Sequence, residues 1–415
     1  MILTSHIATA ILLVQGIAGS VTRRHQLNRD EKDACPQTGT ALYLISNSAP
    51  NTIVALPINE DGTLSAGTIT PSGGDGAVSF AGRVGVSAMP DGLVSQSSLT
   101  IAGQHLFAVN AGSNTLSMLA ISPKDPLRLK PVGSPISVPG EFPNTVAASV
   151  KNSLVCVGMS GAVAGISCGP FSVQTGLSRM DSLRSIPLGQ TTPPVGPTNT
   201  ISHAFFSEDE SNLLTMVKGD PATNKTGFVS ILPIRQKRSC RGRSAVFSAA
   251  QKDMRSTPKG TAVLFGSQII SWTSKIFASD ASFGAAVLDI NLATGRATTL
   301  STQKIEGQSA TCWSAFAPAT GTVFVTDVGV PRIVEMSAED ASIISVTDLA
   351  GTGASGFIDL KASGEFLYAL GPGNGTVEPM IIVMDLSGGP ATAKLIQKFD
   401  LQGMAGASAQ GIAII

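Results

Sequence analysis

This sequence predicts an all-β fold, a seven-bladed β-propeller closed by the C-terminal strand, and three observations carry that prediction. The first is LYLISNSAPNTIVALPINEDGTLSAGTIT, Leu42 to Thr70, in which three short strands are separated by two tight polar turns. The second is the return of the same phrase as LFAVNAGSNTLSMLAI from Leu106 to Ile121. The third is spacing: strand clusters recur about every 50 to 55 residues after residue 40, the period of four-stranded propeller blades. No helical periodicity persists beyond a turn or two in that region.

Taken in order, residues 1–20 read as a signal peptide, an apolar run from Ile7 to Ile17 followed by Ala18-Gly19-Ser20, although Met1 to His6 lack Lys and Arg. Residues 21–40 form a polar N-terminal segment, and residues 41–415 a single propeller domain. The first blade starts at Leu42 without an inner strand of its own. The second takes SSLTIAG, HLFAVNAG, TLSMLAIS and the stretch near Leu129 to Val138; the third takes TVAASV, SLVCVG, AGISCGPF and a strand before Leu188. The fourth runs from ISHAFFSED to SAVFSAA, the fifth from TAVLFG to ATTLSTQKI, the sixth from CWSAFAP to ASIISVTDL, the seventh from FIDLKASG to AKLIQKFDL. The tail Gln410 to Ile415 is a leftover apolar run, so it is expected to supply the missing inner strand and remove the open sheet edge. Two segments interrupt the repeat: Pro71 to Gly92, and the basic run RQKRSCRGR from Arg235 to Arg243, a solvated loop or a processing site after Arg238. Arg23-Arg24 offers the same choice.

The chain is 43% hydrophobic and 13% charged with zero formal net charge, so no whole-chain field draws it to nucleic acid or an anionic membrane. No later run is long enough to span a bilayer. An exported protein, monomeric or homo-oligomeric, is therefore expected. Of five cysteines, Cys156 and Cys168 flank a hairpin-like sequence and are expected to form a disulfide, while Cys35, Cys240 and Cys312 leave one odd thiol. Asn224 and Asn374 stand in N-glycosylation sequons within predicted turns.

In a propeller, the segments that lead from each outer strand to the next inner strand converge on one mouth of the axial channel. Aligning those segments places the neutral side chains Gln96, Asn144, Asn199 and Gln410 at similar positions, with Thr311, Glu141, Phe142 and Trp313 nearby. Asn144, Asn199, Gln410 and Thr311 are the candidate catalytic donors, and Gln96, Glu141, Phe142, His203 and Trp313 the candidate binding residues. The same amides would also serve simply to cap strand ends. No cysteine pair has zinc-knuckle spacing and no histidine sits with carboxylates at ligand spacing, so no metal and no cofactor is expected. The one Gly-x-Ser-x-Gly match, Gly165 to Gly169, lies inside the strand-like AGISCGPF run and leads into no helix, so it forms no nucleophile elbow, and no glycine-rich stretch opens a helix.

GEFPNTVAAS, LGQTTPPVGPTNT, FFSEDES, GTAVLFGS, ASFGAAVL, ATCWSAF and FVTDVGV together resemble the secreted fungal propellers described as 3-carboxymuconate cyclase-like or lactonase-like, over the chain from about Ala41 to its end. That group includes hetero-Diels-Alderases of tropolone-sesquiterpene biosynthesis. The resemblance implies a metal-free cyclisation or cycloaddition joining a polyketide quinone methide to a terpene alkene, with a small apolar molecule in the central channel. Two alternatives stay open: lactonase or muconate-cyclase chemistry, and a non-catalytic secreted binding or surface protein.

Overall fold

The computed structural model describes residues 37–238, 245–373 and 376–415. The expected signal peptide, Arg23-Arg24, Cys35, the tip of the basic run with Cys240, and Asn374 lie outside the described residues. Seven antiparallel sheets follow one another along the chain, and each is the blade of a seven-bladed propeller.

Six blades begin with their innermost strand: Leu99–Ala102, Pro143–Ser149, Ile201–Phe206, Leu264–Ile269, Thr311–Ala317 and Ile358–Ser363. The remaining blade is closed as the sequence predicts. Gln410–Ile414 pairs antiparallel with Ala41–Ile45, which pairs in turn with Thr52–Pro57 and then Thr68–Pro71. Residue patterns follow position in the blade. Second strands, covered on both faces by neighbouring blades, are buried throughout, as in Leu154–Met159, Asn212–Val217 and Thr322–Asp327. Outer strands such as Arg296–Lys304 alternate exposed and more buried positions because one face meets solvent.

Cys156 and Cys168 face each other across adjacent strands of the third blade and form a disulfide, as expected. Both are buried among Leu154, Ile166 and Leu213. Replacing both by alanine is expected to destabilise the fold by about 2–4 kcal/mol, read as a lower midpoint of denaturant unfolding. A double variant with the parental midpoint would show that the bridge constrains nothing.

One irregularity recurs. The inner strands lose register near their second residue, skipping Asn144, Ser202, Cys312 and Asp359, while Phe265–Gly266 and Gly411–Ile412 are skipped as pairs. A bulge re-aims the side chain that it carries. Here six bulges stand at one level around the axis.

Candidate functional site

All inner strands run the same way, so the channel has an upper mouth where they start and a lower mouth where they finish. The upper mouth is filled by the protein itself. Within the insertion, Phe80–Ala81 pairs in parallel with Val195–Gly196, and the chain from Pro90 to Gln96 then crosses the axis.

Its carbonyl groups are taken up by side chains from different blades. Gln410 Nε2 donates to Pro90 O (2.9 Å), Asn144 Nδ2 to Leu93 O (3.2 Å), Lys218 Nζ to Val94 O (2.6 Å) and Trp313 Nε1 to Ser95 O (3.1 Å). Thr145 donates its hydroxyl to Gln96 O (2.8 Å). Gln96 itself reaches across to Ser314 O (2.8 Å) and towards Asp359 Oδ1 (3.4 Å). The structure thus brings Gln96, Asn144, Gln410 and Trp313 together, but around a strap of the same chain; all four are buried.

The other candidates at this mouth lie apart. Thr311 is buried at the start of its strand, and its amide donates to Gln308. Phe142 packs in the core, Glu141 accepts the Thr192 hydroxyl, and half-buried Asn199 donates to Asp220 (3.2 Å). Asn224 stands exposed in a turn.

Buried charges sit behind the strap. Lys218 is 2% exposed and lies over the Phe265 ring at 4.4 Å; burial pulls its pKa down, opposed by Asp91. Burial pushes Asp91 and the Cys312 thiol up. Asp359 accepts the amides of Leu360 (2.8 Å) and Ile412 (2.9 Å), and burial nonetheless raises it to about 6. Among the described residues no three His, Cys, Asp or Glu side chains cluster at metal-binding distance.

Trp313→Ala should act on stability, because the indole is fully buried against Phe265 at 5.0 Å and holds the strap. About 3–5 kcal/mol is expected from the cavity alone. An unchanged melting temperature would show that the strap is not packed as described.

The lower mouth is open. A cavity of about 460 Å³ is lined by residues from the finishing halves of the inner strands, among them Ala148, His203, Phe206, Gln268, Phe316 and Lys361. A second hollow, about 500 Å³, shares Ser97, Thr100 and Lys361 with it and extends toward Ser363 and Ile415. His203 is the one candidate from the sequence that falls here.

Its chemistry is fixed by its partners. The Ser267 amide donates to His203 Nδ1 (3.2 Å), which requires a lone pair on that nitrogen; the imidazole proton is therefore on Nε2, 3.0 Å from Ser97 Oγ. His203 donates to Ser97. Burial, helped by the charge of Lys361, lowers the His203 pKa to about 3, so the ring stays neutral over the ordinary pH range. Ser97 is thereby no activated nucleophile, since its neighbour holds no lone pair toward it. Its own hydroxyl hydrogen is left to donate into the cavity. Lys361, two residues past the bulged Asp359 on the same strand, makes no hydrogen bond or ion pair among the described residues.

The depressed His203 pKa has a stability consequence. Between about pH 6.5 and 3 the unfolded chain binds the proton and the native one does not, so this contribution is full above pH 6.5 and disappears as pH falls toward 3. Its size is several kcal/mol as an order of magnitude. Asp359, raised to about 6, works in the opposite sense above its ordinary value and offsets part of the loss. His203→Asn is expected to flatten the fall in unfolding free energy between pH 6.5 and 3.5; parallel curves for variant and parent would contradict the assignment.

Sequence reasoning missed Lys361, Ser97 and Asp359. One signal was available: Asp359 and Lys361 put charges at alternate positions of an otherwise apolar innermost strand, FIDLKAS.

No protein-family model matches the chain, and no curated protein matches it in sequence. Solved structures do match in fold. The periplasmic gluconolactonase PpgL of Pseudomonas aeruginosa superposes with a TM-score of 0.60 at 14% identity, over 90% of this chain and 99% of its own. A hypothetical selenium-binding protein of Sulfolobus tokodaii gives 0.58 at 9% identity over 92% and 94%. A putative 6-phosphogluconolactonase of Bacteroides uniformis gives 0.51 at 15% identity over 70% and 80%. The chain is thus similar in fold to lactonase-like propellers, and at these identities the likeness carries the fold alone.

Proposed function

We infer that the chain is a propeller enzyme that binds a small, largely apolar carbonyl compound in the lower cavity and promotes its cyclisation, of the cycloaddition type, without a cofactor. The observation behind this reading is that two donors, Ser97 Oγ–H and the Lys361 ammonium, line one cavity, where Phe206 and Phe316 stand beside the polar side chains of Gln268, Glu208 and Glu210. Two donors on a carbonyl oxygen lower the energy of the electron-poor partner and stabilise charge that develops on it. Holding both partners in one orientation supplies up to about 7 to 11 kcal/mol more. No nucleophile is required, in keeping with the protonation of the Ser97–His203 pair. Export of the chain, proposed with it, is supported by the Cys156–Cys168 bridge.

A second reading draws on Lys361 alone. An unpaired ammonium also suits a carboxylate, and a lactone-forming or lactone-opening reaction on an organic acid would use it so. Mass spectrometry of the purified protein with a quinone-methide precursor and a humulene-type alkene, and separately with muconolactones, decides between them. A single stereoisomeric adduct, absent with boiled protein, supports cyclisation. Turnover of the lactones alone supports the second reading, and turnover of neither removes both.

A further inference from the structure

We propose that the groove between the fourth and fifth blades is a second binding compartment, which takes the neutral, hydrocarbon-rich part of a ligand whose polar end lies in the lower axial cavity. The compartment deepens the reading above and rests on it only for the position of the polar end.

The groove encloses about 470 Å³, floored by Leu214, Ile269, Ile276, Ile290 and Leu292, and Trp272 stands at its rim. It shares Ser207, Glu208 and Ile269 with the axial cavity, so the two spaces adjoin along the ends of two inner strands. This volume suits a small molecule.

Trp272 is the unusual residue. One of only two tryptophans, it is 81% exposed, whereas Trp313 is fully buried. It sits at φ +65° in the turn between Leu264–Ile269 and Lys275–Asp280, a conformation costly for a bulky side chain. Glu208 from the fourth blade holds that turn by accepting the Trp272 amide (3.1 Å). Glu208 therefore links the two compartments through one carboxylate.

Charge selects the ligand class. The polar rim carries Glu208 and Asp209, and its cation, Lys275, is engaged by Glu339 at 2.5 Å. An anionic ligand would meet two carboxylates, Glu208 and Asp209, of which Asp209 has Lys151 beside it. A neutral hydrocarbon would meet aliphatic side chains and an indole face, each well suited to it.

Titration with the neutral dye N-phenyl-1-naphthylamine tests this, with the anionic 8-anilino-1-naphthalenesulfonate as its counterpart. Saturable one-to-one binding of the neutral dye is expected, with energy transfer from tryptophan and protection of Trp272 from acrylamide quenching. The anionic dye should bind at least about tenfold more weakly. Trp272→Gln, at a site too exposed to disturb folding, and Leu292→Gln should each weaken the neutral dye by about the same factor. Lys361→Met should leave dye binding unchanged. Unaltered affinity in both groove variants, equal binding of the two dyes, or no saturable binding would overturn the proposal. Loss of dye binding in Lys361→Met would do so too, because it would put the dye on the axis. Because dye binding is read without turnover, absence of any reaction would strike the cyclisation reading and leave the groove to be judged separately.

Discussion

Deletion of Ile412 to Ile415 leaves no soluble monomeric protein. These residues are most of the innermost strand of the blade that joins the two ends of the propeller. Ile412 is fully buried and Ala413 nearly so, and the Ile412 amide is held by Asp359 of the neighbouring blade at 2.9 Å. The amide of Thr40 donates to the Ile415 carbonyl at 2.6 Å. Apolar burial alone contributes about 1.5–3 kcal/mol for the isoleucine, and several backbone hydrogen bonds are lost besides. A further loss is in kind. The ladder edge of Ala41–Ile45, five buried residues, would face the channel unpaired and invite strand addition from other chains. Against a typical margin of about 5–15 kcal/mol, that combination suffices to unfold or aggregate the chain. Size-exclusion chromatography and thermal melting of the truncated protein give the check; a monomer that melts like the parent would mean the ring is held without its closing strand.

Seven blades and their closure were legible because they rest on local pattern: runs about six residues long, turn residues between them, and a leftover apolar tail. The Cys156–Cys168 bridge followed from the same hairpin register. The upper mouth was only half legible. Alignment found Gln96, Asn144, Asn199 and Gln410 at equivalent places; Gln96, Asn144 and Gln410 converge, whereas Asn199 binds Asp220 away from them. What they converge on is the strap from Pro90 to Gln96, and no periodicity announces a segment that lies across an axis and pairs with side chains instead of a sheet. The bulges were hidden for a related reason. A bulge breaks the two-residue alternation by which a strand is read, so the inward aim of Asn144 has no local signature.

The lower mouth was overlooked because its polar groups come from inner-strand residues that look like core positions. His203 is a candidate binding residue from the sequence, and its imidazole is buried. Its role depends on two partners far away in sequence, Ser97 and Ser267, and only the closed ring brings the three together.

Lys361→Met is the substitution expected to cost the most activity without costing the fold. Lys361 is half-buried at the cavity wall, free of ion pairs among the described residues, and methionine preserves most of its length and apolar stem. If its ammonium polarises the substrate oxygen, removing it should lower kcat/KM by about 10²–10³-fold, the range for loss of one such donor. Lys361→Arg should recover part of that loss, since charge is kept while position shifts. Ser97→Ala should fall less steeply and retain the neutral His203 behind it, so combining the two should cost less than the product of the separate effects. The split between kcat and KM tells the two chemistries apart. A cycloaddition activated at a carbonyl loses kcat, because the interaction strengthens as charge develops, whereas an organic acid held by its carboxylate loses binding and shows it in KM. Equal kcat and KM in parent and Lys361→Met, with the same melting temperature, would move the reacting centre away from the lower mouth altogether.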